Sequence, residues 1–160
     1  MSATIHLICG FMGFGKTTFA KQLEQKNTAI RLTHDEFMVK LYERNLPEPN
    51  FRLNYKKVDD MLWDLAEKII HAGTDVIMDY GFWTKEARKT AQQKAKAITP
   101  NVVWYQLQCD IDTAKSRVLK RTKNNQEELF IDEACFGKLF KQYEPITPDE
   151  GLQVVFHSGT

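Results

Sequence analysis

The stretch that decides the fold runs Gly10-Phe11-Met12-Gly13-Phe14-Gly15-Lys16-Thr17 and matches the pattern G-x-x-x-x-G-K-[ST] in full. An apolar run over 5–9 precedes it and predicts a buried strand, and an amphipathic stretch over 16–25 predicts the helix that follows. Glycines let backbone N–H groups surround a polyphosphate, and the helix N-terminus adds its positive dipole end. The motif in this setting indicates a nucleotide-binding loop.

The residues of the motif are expected to bind different parts of the nucleotide. The residues predicted to bind it are Gly10, Gly13, Phe14, Gly15, Lys16, Thr17 and Thr18. Lys16 should reach the β- and γ-phosphates, and the Thr17 hydroxyl should ligate Mg²⁺. The chain lacks the N-K-x-D motif with which common GTPases read guanine, so the expected cofactors are ATP and Mg²⁺. The side chains of the bulky loop residues Phe11, Met12 and Phe14 can point outward.

Short apolar runs alternate with longer amphipathic stretches along the whole chain. Strands are predicted at 5–9, 29–32, 76–79, 102–109 and 152–156. Helices are predicted at 16–25, 35–42 and 54–71, after an N-cap at Thr84, at 112–122 under an Asp112 cap, and from Asp132, with a break over 46–50. Such alternation predicts an α/β fold in one domain over 1–160, with a parallel sheet covered by helices on both faces.

Composition excludes several classes of protein. The 160 residues are 42% hydrophobic and 27% charged, and 22 Lys and Arg against 21 Asp and Glu leave a net charge of +1. This balance gives no general reason to bind nucleic acid or a membrane. No apolar run approaches a membrane span, the N-terminus does not resemble a signal peptide, and the three cysteines form no CxxC pair. A cytoplasmic globular protein is expected.

Two acids follow predicted strands at the edge where open α/β sheets bind ligands. Asp35, after the second strand, could orient the hydroxyl of a phosphate acceptor, or it could simply cap the next helix. Asp79 ends an apolar strand in the manner of a Walker B acid that holds Mg²⁺, although an acid at a strand end is common. The aromatic residues over 80–83 could wall an acceptor pocket or belong to ordinary packing.

A basic run occupies the fifth predicted helix and its exit. It consists of Lys115, Arg117, Lys120, Arg121 and Lys123. Arg117 and Arg121 lie four residues apart and therefore share a helix face, from which two guanidinium groups could stabilise a transferring phosphoryl group. The alternative is a solvated basic surface. The polar stretch over 123–128 favours a mobile lid, placed at about 115–131.

Five segments together carry a resemblance to a known family. They read GFMGFGKTT, HDEFM, DYGFW, SRVLKR and FKQYEPITPDE, in that order. The chain resembles the AAA-type predicted kinases over about 5–150, a group of small P-loop phosphotransferases similar to zeta toxins, chloramphenicol phosphotransferase and polynucleotide kinase domains. DYGFW, with the Thr-capped helix and its Arg88, and FKQYEPITPDE are the more specific segments.

The resemblance implies a five-stranded parallel sheet of the P-loop NTPase fold, its phosphate-loop strand central beside the strand ending at Asp79. It implies that Asp35 activates the acceptor, that Lys16 and Thr17 serve ATP and Mg²⁺, and that Arg117 and Arg121 belong to a small helical lid. For Arg88 two alternatives stand open: binding of an acceptor or phosphate, and an exposed helix arginine.

Three functions are compatible with these features. The first is transfer of the ATP γ-phosphate to a hydroxyl of a small molecule. The second is a 5′-hydroxyl polynucleotide kinase, which the net charge of +1 disfavours. The third is a nucleotide-binding regulatory module without phosphate transfer. The sequence predicts no particular acceptor and no oligomeric state.

Overall fold

The computed structural model describes residues 2–42, 48–124 and 130–158, and its centre is a five-stranded sheet. The strands are β1 (Ile5–Cys9), β2 (Ile30–Thr33), β3 (Val76–Gly81), β4 (Val102–Gln108) and β5 (Val154–Ser158). They lie in the order β2-β3-β1-β4-β5, and all four neighbouring pairs are parallel. The prediction of a parallel sheet with the phosphate-loop strand central, beside the strand that carries Asp79, is confirmed.

Helices pack against both faces of this sheet. They are α1 (Lys16–Asn27), α2 (His34–Leu41), α3 (Glu48–His71), α4 (Lys85–Ile98), α5 (Ile111–Asn124) and α6 (Glu133–Phe140). Successive side chains of a strand point to opposite faces, so Leu7 packs with α2, α3 and α4 while Ile8 packs with α1, α5 and α6. Both residues are fully buried, and the sheet therefore separates two hydrophobic cores.

Side-chain hydrogen bonds at the first turns of three helices show which residues cap them. The Thr84 side chain accepts the N–H of Ala87, so the predicted N-cap is confirmed. The Asp132 side chain accepts the N–H of Cys135 and caps the helix that Asp132 was predicted to open. The predicted Asp112 cap is wrong, because Asp110, two residues earlier, accepts the N–H of Thr113 at 3.0 Å.

The third helix starts earlier than the sequence predicted, at Glu48 rather than at 54. Its second residue is Pro49, which the prediction had placed within the break over 46–50. Proline is tolerated in the first turn of a helix, where its missing N–H would have no intrahelical partner. Within the described part of the chain, no helix is long and apolar enough to cross a membrane.

Candidate functional site

The glycine loop joins β1 to α1 and adopts backbone angles that require glycine. Gly13 and Gly15 have φ of 77° and 88°, in the left-handed region. A Cβ atom on Gly13 would lie 2.4 Å from the carbonyl oxygen of Ala114, so α5 packs directly against the loop. No side chain caps α1 and its first turn contains no acid. The free N–H groups at this helix start therefore suit an anion.

Phe11 and Phe14 of the loop point inward, although the sequence left room for their side chains to face outward. Phe11 is fully buried and Phe14 is only 6% exposed. The rings within 6.1 Å of the Phe11 ring are those of Phe14, Trp83, Phe136, Phe140 and Tyr143. The loop therefore rests on an aromatic cluster that anchors it to α6 and to the segment after it.

The two residues predicted to serve Mg²⁺ lie side by side. The Thr17 hydroxyl donates to Oδ2 of Asp79 at 2.9 Å, and Asp79 is only 4% exposed. A hydroxyl and a carboxylate are hard oxygen ligands of the kind that Mg²⁺ prefers when it also binds substrate phosphates. These donors fit the metal, and they lie at the start of α1, next to the phosphate loop.

Lys16 lies among the charged residues that the sequence singled out. Its ammonium donates to the Phe11 carbonyl at 3.0 Å. Burial lowers the pKa of Lys16, the carboxylates of Asp79 and Asp35 oppose that shift, and Arg121 adds to it. Asp35, Asp79 and Arg121 belong to α2, β3 and α5, so charged groups from three other elements act on the pKa of Lys16.

Asp35 occupies the first turn of α2 and is exposed. The cap position of α2 is held by Thr33, whose side chain makes no capping hydrogen bond. Asp35 is therefore not the residue that caps this helix, which was the alternative to a role at the site.

His34, for which the sequence indicated no partner, is buried beside Asp35. Its Nε2 lies 3.0 Å from the Tyr55 carbonyl oxygen, and the two rings are 3.8 Å apart. Burial lowers the pKa of His34. This contact joins the start of α2 to α3.

A cleft of about 430 Å³ opens beside the loop on the α5 side. Its lining is Gly13, Gly15, Thr18, Phe19, Gln22, Arg117, Lys120, Arg121, His157 and Ser158. The Arg117 guanidinium donates to the Gly13 carbonyl at 3.2 Å, whereas Lys115 lies outside the cleft in an ion pair with Glu133. The basic run is thus divided: part of it lines the cleft beside the phosphate loop, and Lys115 is half-buried and pairs with Glu133.

Sequence analysis missed four residues of this cleft: Phe19, Gln22, His157 and Ser158. A signal existed for the last two, because His157 and Ser158 end β5 at the carboxyl edge where parallel sheets bind ligands. The ring of His157 lies 4.7 Å from that of Phe19. Such a pair of rings offers a nucleobase a flat surface close to the phosphate loop.

Arg88 fits neither alternative proposed from the sequence, since it is fully buried. Its Nε and Nη2 donate to the two carboxylate oxygens of Glu150 at 2.7 and 3.0 Å. Its Nη1 donates to the carbonyls of Phe82 and Glu144 at 2.8 and 2.7 Å. Arg88 is therefore a structural residue that fastens the segment over 144–150 to β3 and α4.

The aromatic residues after Asp79 belong to the hydrophobic cores. Phe82 is 8% exposed and packs in the core beneath α3 and α4, with Tyr80 stacked on it at 5.1 Å. Trp83 packs on Phe11 in the other core. These contacts favour ordinary packing over an acceptor pocket formed by these rings.

The predicted lid is described only in part. Residues 125–129, its centre, lie outside the described residues. Over 115–124 the chain is the continuation of α5, and Val118 and Thr122 of that helix are buried against the body of the domain.

Comparison with known proteins shows the family of the chain. The family model described as an AAA domain matches residues 5–146. A comparison with curated protein sequences gives no match.

Solved structures share the fold at low sequence identity. A candidate kinase from Chloroflexus aurantiacus is 17% identical with a TM-score of 0.81, over 100% of this chain and 90% of that one. Kti12 from Chaetomium thermophilum, solved with ADP-AlF3, is 17% identical with a TM-score of 0.75, over 96% and 88%. A gluconokinase from Sinorhizobium meliloti is 13% identical with a TM-score of 0.64, over 99% and 83%. The chain belongs to the AAA-domain family and has the fold of small P-loop kinases.

Proposed function

We propose that this protein is an ATP- and Mg²⁺-dependent phosphotransferase that moves the γ-phosphoryl group of ATP to a hydroxyl of a small molecule. The observation that carries the proposal is the 2.9 Å hydrogen bond between Thr17, next to Lys16 at the start of α1, and Asp79 of β3, beside a cleft that Arg117 and Arg121 line. A phosphate-binding lysine, a metal-binding acid and two arginines thus meet at the glycine loop, and Asp35, whose charge opposes the lowering of the Lys16 pKa, is the candidate base. Phosphoryl transfer needs little more from a protein than such positioning and charge.

Each residue has a distinct task in this mechanism. The Lys16 ammonium exchanges the Phe11 carbonyl for β- and γ-phosphate oxygens, which the free N–H groups at the start of α1 also hold. Mg²⁺, held by Thr17 and Asp79, supplies neutralisation of phosphate charge when it is bound. Asp35 accepts the hydrogen bond of the acceptor hydroxyl and aims its oxygen at the γ-phosphorus. Arg121 and Arg117, which line the cleft beside the loop, stabilise charge on the equatorial oxygens.

A small molecule is the favoured acceptor. Arg117, Lys120 and Arg121 line the nucleotide cleft, and Arg88 is held by an internal carboxylate. These basic side chains therefore serve the nucleotide or the fold. The net charge of +1 adds no general attraction for a polynucleotide backbone. A gluconokinase is among the proteins of similar fold, which agrees with a small-molecule acceptor.

The test follows the label of γ-labelled ATP with Mg²⁺ into a library of small hydroxyl compounds and, separately, into a 5′-hydroxyl oligonucleotide. We expect label in a library compound, no transfer by Lys16→Ala, and a loss of at least about 100-fold for Asp35→Asn with ATP affinity unchanged. Glu86→Gln is the control, because Glu86 is also an exposed acid in the first turn of a helix.

Each other outcome rejects a defined part of the proposal. Unchanged transfer by Lys16→Ala contradicts the assigned site as a whole. Full transfer by Asp35→Asn rejects Asp35 as the base. Label only in the oligonucleotide indicates a polynucleotide kinase, and label only in free phosphate, coupled to partner binding, indicates a regulatory nucleotide switch.

A further inference from the structure

Two residues that no motif marks, Arg31 and Thr33, are hydrogen-bonded in series to the metal-site acid. The Thr33 hydroxyl donates to Oδ2 of Asp79 at 3.0 Å, and Nη1 of Arg31 donates to the Thr33 hydroxyl. Thr33 is 6% exposed, and the side chain of Arg31 is 14% exposed. The chain of donors is thus protected from water along most of its length.

The parallel pairing of β2 with β3 produces this arrangement. Thr33 is the register partner of Asp79, so their side chains emerge side by side on one face of the sheet. Arg31, two residues earlier on β2, emerges on the same face and can reach the Thr33 hydroxyl. Strand alternation therefore fixes the order Arg31, Thr33, Asp79.

The hydrogen-bonded series Arg31, Thr33 and Asp79, which we call the relay, also reaches the two helices that carry the other site residues. Nη1 of Arg31 donates to Glu36 of α2 at 2.9 Å, and Nε of Arg31 lies 3.5 Å from the Glu24 carboxylate of α1. Glu36 directly follows Asp35, and α1 begins with Lys16 and Thr17. One guanidinium group thus contacts the elements that carry the candidate base and the phosphate-binding lysine.

We propose that Thr33 and Arg31 are positioning residues that hold the Asp79 carboxylate in the orientation needed for Mg²⁺, a proposal that rests on the proposed function of the site. Thr17 and Thr33 both donate to Oδ2, so their two hydroxyl groups fix the rotation of the carboxylate about its last bond. Arg31 orients the Thr33 hydroxyl, because a guanidinium can only donate and the hydroxyl must then direct its own hydrogen at Asp79. Partners of this kind typically change metal affinity by about 10- to 100-fold.

The experiment measures the affinity for AMP-PNP by calorimetry with Mg²⁺ and with EDTA. Thr33→Val removes the hydroxyl and keeps the side-chain shape, whereas Thr33→Ser keeps the hydroxyl. We expect the increase in AMP-PNP affinity that Mg²⁺ produces to be about tenfold smaller in Thr33→Val than in the wild type. The affinity measured in EDTA should be unchanged, and Thr33→Ser should keep the wild-type increase. Thr99→Val is the matched control, because Thr99 is 3% exposed and its hydroxyl donates to the Ala3 carbonyl, away from the site.

A double variant tests whether the two residues act in series. Arg31→Met should reduce the Mg²⁺ gain by less than Thr33→Val, and the double variant should lose no more than Thr33→Val alone. If Thr33→Val does not fold, Arg31→Met against Thr99→Val carries the same comparison. A wild-type Mg²⁺ gain in folded Thr33→Val, or additive losses in the double variant, overturns the relay.

The result separates the relay from the reaction. A wild-type protein that gains affinity from Mg²⁺ through Thr33 but transfers no phosphate supports the relay and refutes the phosphotransferase. A wild-type protein with no Mg²⁺ gain refutes both the relay and the metal site on which it depends.

Discussion

Removing the carboxylate charge opposite Arg88 is the sharpest test of how the fold is held together. In Glu150→Gln the guanidinium stays fully buried and keeps its carbonyl acceptors, but it loses its counter-charge. Loss of one partner from a buried pair costs about 3–5 kcal/mol, and the remaining amide oxygen places the expected cost near the lower value, about 3 kcal/mol. For a domain of this size, that corresponds to a fall of about 6–12 °C in Tm.

The chain offers a matched control for this variant. Lys115 and Glu133 form an ion pair at 2.6 Å, as short as the 2.7 Å pair of Arg88 and Glu150, but the Glu133 side chain is 72% exposed against 9% for Glu150. Glu133→Gln should therefore leave the free energy of unfolding unchanged within error, because water already screens that pair. Urea unfolding followed by circular dichroism measures both variants. Equal losses from the two variants would refute the argument from burial.

Acidification gives the same prediction a second readout. Burial alone would raise the pKa of Glu150, but hydrogen bonds from Arg88 and from the Thr147 N–H outweigh it and lower the pKa. The unfolded-state pKa of a glutamate is about 4.3, so this carboxylate stabilises the fold above that pH and loses its contribution as pH falls through the lower folded-state pKa. The difference between wild type and Glu150→Gln should therefore shrink below about pH 4. A difference that stays constant down to pH 3 would show that the charge is not the cause.

Two further predictions test the loop and the start of α2. Gly13→Ala should lose nucleotide binding and stability, because its Cβ would lie 2.4 Å from the Ala114 carbonyl oxygen. Gly137→Ala, in open space on α6, should leave stability unchanged or increase it. Calorimetry of nucleotide binding and the Tm compare the two variants. Because burial lowers the pKa of His34, the free energy of unfolding should fall as pH drops below about 6.5. In His34→Gln the free energy of unfolding should depend less on pH. Equal slopes of the free energy of unfolding against pH for both proteins between pH 7 and 5.5 would contradict this prediction.

The parts of the fold that sequence predicted well depend on local patterns. The glycine loop and all five strands carry signals within a few residues, and β1 occurs over the predicted residues, Ile5–Cys9. The start of α3 was misplaced because a proline pair suggests a break, although proline is equally at home in a first turn. The direction of the Phe11 and Phe14 side chains was not predictable because it depends on α6 and the segment after it, more than a hundred residues further along the chain.

Charged residues show most clearly where local patterns stop being informative. Arg88 resembles an ordinary surface arginine in the sequence because its partners are distant in the chain, and Arg31 does so because Asp79, which its partner Thr33 contacts, is distant. Arg88 meets Glu150 across 62 positions, and the Thr33 hydroxyl to which Arg31 donates meets Asp79 across 46. The family segments DYGFW and FKQYEPITPDE supply the carbonyls and the carboxylate that surround Arg88. The two segments therefore share a structural role: together they satisfy one buried cation, and that cation holds the chain behind the phosphate loop in place.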